Sequence, residues 1–142
     1  MDNVGVVFDD LKAATAFFAE LGLELEGEQR VEGRWVDRVV GLDGVRVDIA
    51  MMRTPNGHSR LELTKFHTPA AVSAEPSNAP ANTLGIRRIM FAVDDTQDVL
   101  ARLRTHGAEL SSASWSSTRT AIGSVTSAAP RASSSPLVEQ LS

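Results

Sequence analysis

The 142-residue chain contains no cysteine, which excludes disulfides, cysteine metal sites and a cysteine nucleophile. Nor does it hold an apolar run approaching the roughly 18 residues that a membrane-spanning helix needs. A charged-then-apolar leader is also absent, so the sequence reads as a soluble cytoplasmic protein without a membrane partner. Lysine and arginine number 14 against 18 acidic residues, for a net charge of −4. The basic residues are scattered, and that excludes a nucleic-acid footprint. The chain is long enough to bury a core as one domain or as two small modules.

Its organising feature is a repeat. The stretch VGVVFDDLKAATAFFAELGLEL, from Val4 to Leu25, returns as IMFAVDDTQDVLARLRTHGAEL from Ile89 to Leu110. Asp9-Asp10 corresponds to Asp94-Asp95, Gly22 to Gly107 and Glu24-Leu25 to Glu109-Leu110, all at one offset of 85 residues. Each copy is an apolar run, an aspartate pair, a helix-length segment, a glycine and a new extended segment. Aspartate before a helical pattern caps it, and glycine where the helix stops adopts the left-handed conformation cheaply. The aspartate pairs are therefore structural, although they look like acid/base dyads. A period this long does not describe a solenoid.

The expected elements follow in order. A strand over 3–8 leads into a helix burying Leu11, Ala14, Phe17, Phe18 and Leu21, at the three- and four-residue spacing of one helical face. A half-exposed strand over 23–31 comes next, then a short helix within 32–42. The third strand covers 45–52, with Val45, Val47, Ile49 and Met51 on one side. Thr54-Pro55-Asn56-Gly57 is hairpin-turn chemistry, and a fourth strand runs over 59–66. The first module, 1–66, is thus β-α-β-β-β. An alanine- and proline-rich connector spans 67–84, and a second module occupies 85–142, with a helix over 96–106 burying Val99, Leu100 and Leu103.

The second module then changes character. Ten of the 26 residues from Ser111 to Pro136 are serine and none is acidic. No strand pattern appears where three more strands are owed, which leaves Ile89–Val93 as an unpaired edge prone to aggregation. Two readings stand: a disordered serine-rich tail, or translation out of frame. Joining each codon's third base to the next codon's first two permits VGELVQYEDSYRLCYVRGPEGIIVA by synonymous choice. That string restores two alternating strands, an arginine-glycine-proline turn and a final apolar strand running on as IIVALVEQLS. Its agreement with the first module favours the frame-shifted reading.

The repeat, with LELTKF and GIRRIMFAVDD, resembles the vicinal oxygen chelate superfamily of glyoxalases, bleomycin-resistance proteins and extradiol dioxygenases. The resemblance covers residues 1–110 directly. It implies an α+β fold in which paired β-α-β-β-β modules form an open, barrel-like cup for a small organic molecule, the second module being incomplete as written. It also implies a divalent metal acting as a Lewis acid with open positions. The family's ligand positions fall on Asn3, Glu62 and Arg88, with the fourth inside the serine-rich stretch. Arginine has no lone pair to offer a metal. The ligand set is incomplete, so metal-independent or weakly metal-dependent behaviour is expected.

Glu62 lies between Leu61 and Leu63, so strand alternation directs it away from their apolar face. It reads as a general base, a substrate acceptor or a residual metal ligand, against an ordinary structural carboxylate. Arg88 reads as its partner, as a clamp for an anionic group, or as an exposed strand-start arginine. Asn3, Trp35, Phe66 and Met90 are candidate substrate contacts, although an asparagine at a strand start is more often a turn residue, and Phe66 fills a core or floors the cup rather than marking a cofactor box. His58 shares strand parity with Glu62 as a conceivable metal ligand, but its place after Asn56-Gly57 marks a hairpin tip. His67 and His106 read as chain punctuation. The functions implied are lyase or isomerase chemistry beside a carbonyl, non-catalytic sequestration as in antibiotic resistance, or an inactive frame-shifted product. Homodimers are common in the resembled family.

Overall fold

The structure, a computed structural model, describes residues 1–73, 82–85, 89, 91–110, 122–127 and 135–139. The chain forms two compact units, Met1–Ser73 and Ala74–Ser142.

In the first unit β1 (Val4–Val7) leads into α1 (Leu11–Glu20), β2 (Glu24–Glu32), α2 (Arg34–Val40), β3 (Arg46–Arg53) and β4 (Arg60–Thr68). The strands form one sheet in the order β1-β4-β3-β2. β1 lies parallel to β4, which requires the crossover that α1 supplies; the other pairs are antiparallel. Asp10 caps α1, its Oδ1 accepting from the Ala13 N–H at 3.0 Å. At the other end Gly22 takes a φ of 108°, where a side chain would be strained. Ala14, Phe17 and Phe18 are buried on the inner face of the helix. They cover the sheet face that carries Ala50, Met52, Leu61 and Leu63, of which Ala50, Met52 and Leu63 are fully buried.

Three details depart from the sequence reading. β2 is exposed along most of its length, with only Val31 buried. A register shift between Leu25 and Gly27 breaks its alternation, and Leu25 is exposed although it pairs with buried Met52. In β3 the most deeply buried side chains are Ala50 and Met52, on the face opposite Val47, Ile49 and Met51. α1 covers Ala50, Met52, Leu61 and Leu63 on one face of the sheet, whereas among the described residues the other face is covered only at one end. Finally β4 runs past Phe66 to Thr68, because Arg46 pairs with Thr68 beyond an irregularity in the ladder.

The second unit repeats the pattern: β5 (Phe91–Val93), α3 (Thr96–Arg104), β6 (Ala108–Leu110), β7 (Ile122–Ser127) and β8 (Ser135–Glu139), with sheet order β5-β8-β7-β6. Asp95 Oδ1 caps α3 by accepting from the Asp98 N–H at 3.0 Å, as Asp10 caps α1. Val99, Leu100 and Leu103 are buried. The three strands expected to be missing are present, and β5 is paired along one side by β8. Ladder hydrogen bonds belong to the backbone, so a segment with weak side-chain alternation still pairs when a neighbouring strand offers its edge. Pro136, which has no N–H to donate, sits near the start of β8, before the pairing with β5 begins at Leu137.

Candidate functional site

The open face of the first sheet carries the side chains whose parity is opposite to Leu61 and Leu63. β4 contributes Arg60, Glu62, Thr64 and Phe66 to it, and β3 contributes Met51, Ile49 and Val47. Glu62 stands in the middle. Its row across the sheet runs Gly5, Glu62, Met51, Gly27. The carboxylate is half-buried, and Thr64 Oγ1 donates to Glu62 Oε1 across a long 3.4 Å. Glu62 faces away from the core, as strand alternation dictates.

The face grades from charged to apolar. At one end Arg60 and Arg53 are directly paired, an arrangement that two like charges disfavour. Carboxylates offset it: Arg53 Nη2 donates to Glu24 Oε2 at 2.9 Å, Glu26 lies 3.7 Å from Arg53 and 3.6 Å from Arg60, and Asp2 lies 3.8 Å from Arg60. At the other end Val31, Val36, Val45 and Val47 form a buried cluster with Ile49 and Phe66 packed against it. α2 closes this end by inserting Val36.

The sequence-derived candidates separate on this frame. Asn3 precedes β1 with the same parity as Gly5, one diagonal step from Glu62; its Nδ2 donates to Asp2 Oδ2 at 3.3 Å. Phe66 shares the face with Glu62 but is partly buried in the apolar cluster. Trp35 does not join that cluster. It is 61% exposed, and its indole Cδ1 lies 3.5 Å from where a Cβ on Gly33 would stand. His58 is at the exposed hairpin tip, outside β4, its N–H donating to Asn56 Oδ1 at 3.0 Å. Arg88 and Met90 lie outside the described residues.

Sequence reasoning missed the cluster on the helix side of the sheet. Asp48 accepts from Arg30 Nε at 2.8 Å and from Arg30 Nη2 at 3.3 Å, and His67 Nε2 lies 2.8 Å from Asp48 Oδ2. Hydrogen bonds from Arg30 first, and from His67 second, hold the Asp48 carboxyl down at about 2. The Arg30 guanidinium is correspondingly raised. One carboxylate thus ties β2, β3 and β4 together. Register is the only signal that joins these residues, and it cannot be read from spacing. Nearby, the Lys65 ammonium donates to the Asp9 carbonyl, fixing the loop that feeds α1.

Glu62 and Asn3 offer one carboxylate and one amide. Among the described residues no group of three or more His, Cys, Asp or Glu side chains converges. Metal sites of catalytic type rest on three protein ligands, so the described residues do not fit a divalent cation. Among them, too, no helix is long and apolar enough to cross a membrane.

Comparison with known proteins follows the same lines. No curated protein matches the chain. The family model for the glyoxalase/bleomycin resistance protein/dioxygenase superfamily matches residues 2–125. A glyoxalase family protein from Bacillus cereus is 42% identical, with a TM-score of 0.88 over 100% of this chain and 94% of its own. Glyoxalase I from Zea mays shares the fold at 13% identity and a TM-score of 0.67, over 100% of this chain and 45% of its own. The trypanothione-dependent glyoxalase I of Leishmania major gives 16% and 0.65, over 98% and 85%. With most of its length matched by the family model and a 42%-identical structural relative across its whole length, the chain belongs to the glyoxalase/bleomycin resistance protein/dioxygenase superfamily.

Proposed function

We propose that this protein binds a small carbonyl-bearing organic molecule against the open face of the first sheet and isomerises it, with Glu62 as the base. The observation that carries the reading is a carboxylate standing in mid-sheet on the face away from the core, with one long contact, from Thr64, among the described residues. A structural carboxylate in that position normally has a closer partner. In the proposed step Glu62 removes a proton from the hydroxyl-bearing carbon beside the carbonyl, as in the hydrate or thiol adduct of a 2-oxoaldehyde. The C–H electron pair becomes the new C=C bond and the carbonyl pair moves onto its oxygen, giving the enediolate. Glu62 then returns the proton to the former carbonyl carbon, while the hydroxyl proton passes to that carbon's oxygen and the first carbon becomes the new carbonyl, so no oxidant or reductant is consumed. Asn3 donates to the bound carbonyl compound; Phe66 and Trp35 wall its apolar part. The protein acts in the cytoplasm, as a homodimer.

The test is turnover of a panel of 2-oxoaldehydes, alone and with thiols, by wild type and by Glu62→Gln. Loss of about 100-fold or more in kcat/KM with an unchanged melting temperature supports a base. Full activity in Glu62→Gln ends the proposal.

The cluster of Val31, Val36, Val45, Val47 and Phe66 at one end of the face favours a second reading, sequestration without turnover, because binding sites are walled chiefly by apolar side chains. Melting shifts separate the two. A sequestered ligand raises the melting temperature in proportion to the logarithm of its concentration and is recovered unchanged.

A further inference from the structure

Gly5 occupies the middle of β1, where glycine has no structural reason to be. Its φ is not positive, unlike those of Gly22, Gly41 and Gly57. A Cβ added there meets nothing within 4 Å among the described residues. Glycine weakens a strand interior, because it restricts the unfolded chain least and packs nothing. Gly27, in the same row, has a local explanation in the register shift of β2; Gly5 has none, and β1 pairs with β4 without irregularity. When bends and bulges are absent, a glycine within a strand marks a close approach to its backbone. The register says what lies beside that backbone: Gly5 is the cross-strand partner of Glu62. The flanking rows are filled by Val7 beside Thr64 and, at the other side, by Arg60 with its carboxylates.

We infer that Gly5 is the specificity-determining position of the Glu62 site: the missing side chain leaves a slot, one residue wide, through which a flat carbonyl-bearing group lies on the β1 backbone with its edge against the Glu62 carboxylate. The inference rests on the proposed role of Glu62 for its chemistry, but the slot itself is a property of the sheet. The carbon that loses its proton to Glu62 sits above Gly5. Any Cβ there occupies the plane of the bound group. Charge on this face narrows the ligand further. Among the described residues, Arg53 and Arg60 beside the slot are already engaged by Asp2, Glu24 and Glu26, which suits the slot to an uncharged group rather than a carboxylate.

The experiment uses the full chain with Gly5→Ala, Gly5→Val and Glu62→Gln. Accessibility of Glu62 is read without any substrate, by coupling glycine ethyl ester to carboxylates with a water-soluble carbodiimide and quantifying the Glu62 peptide by mass spectrometry. Exposed Glu28 on the other face serves as the internal reference. The expected result is a Glu62 labelling rate lowered about 2-fold by Gly5→Ala and about 5-fold or more by Gly5→Val. Glu28 is unaffected, and melting temperatures are equal to or above wild type because both residues suit a strand better than glycine. Turnover of the 2-oxoaldehyde panel falls in the same order. Unchanged Glu62 labelling in a folded Gly5→Val protein overturns the inference. Should Gly5→Val fail to fold, Gly5→Ala decides by the same ratio. Labelling that falls while Glu62→Gln keeps full activity sustains the slot and overturns the base assignment instead, so the two failures are distinct.

Discussion

Asp48 and His67 meet across the β3–β4 ladder, Nε2 to Oδ2 at 2.8 Å, while Arg30 grips the same carboxylate from β2. The Asp48 carboxyl is held at about 2, below the usual aspartate value near 3.9. Its folded-state affinity for protons is thus lower than its unfolded one. The resulting stability is complete above about pH 4 and disappears as pH falls through about 2. Wild type should lose stability between pH 4 and 2 more steeply than Asp48→Asn. At pH 7 the variant should melt about 1–4 °C lower, since the pair is partly exposed. Thermal melts at half-unit pH intervals check both; parallel curves for the two proteins would remove the clasp.

The two aspartate pairs make unequal contributions. Asp10 and Asp95 provide the capping oxygens. Asp10→Ala should cost about 1 kcal/mol in urea unfolding. Asp9→Ala should be near neutral, because the Lys65 contact uses the Asp9 backbone carbonyl. Equal losses for both variants would contradict the capping assignment.

The core of the first unit lies between α1 and the sheet. Leu63 is fully buried there, and Leu63→Ala should destabilise by about 2–5 kcal/mol. Trp35→Ala, on the exposed side of α2, should change stability by no more than about 0.5 kcal/mol. If Trp35 walls the ligand, that variant weakens binding by melting shift while the unliganded protein melts as wild type.

The DNA encoding residues 107–142 bears on the second unit. The expected outcome is that the shifted frame across codons 111–136 reads VGELVQYEDSYRLCYVRGPEGIIVA, with compensating insertions or deletions at its ends. DNA unable to encode that string makes the serine-rich sequence native. The pairing of β7 with β8 is then made by the native sequence.

Local chemistry was legible in the sequence. The 85-residue repeat, the Asp10 and Asp95 caps, the glycine stops at Gly22 and Gly107 and the Asn56-Gly57 hairpin depend on residues a few positions apart, and each formed as the spacing required. The orientation of Glu62 was legible too, because alternation along one strand suffices to oppose it to Leu61 and Leu63. Tertiary structure decided what stands beside what. Register alone placed Gly5 against Glu62 and joined Arg30 to Asp48 and His67. It also let a serine-rich segment complete a sheet through backbone pairing, which side-chain pattern did not announce. Pairing between strands far apart in the chain is fixed by the competition of whole sheet faces for burial, and no window of sequence contains that competition.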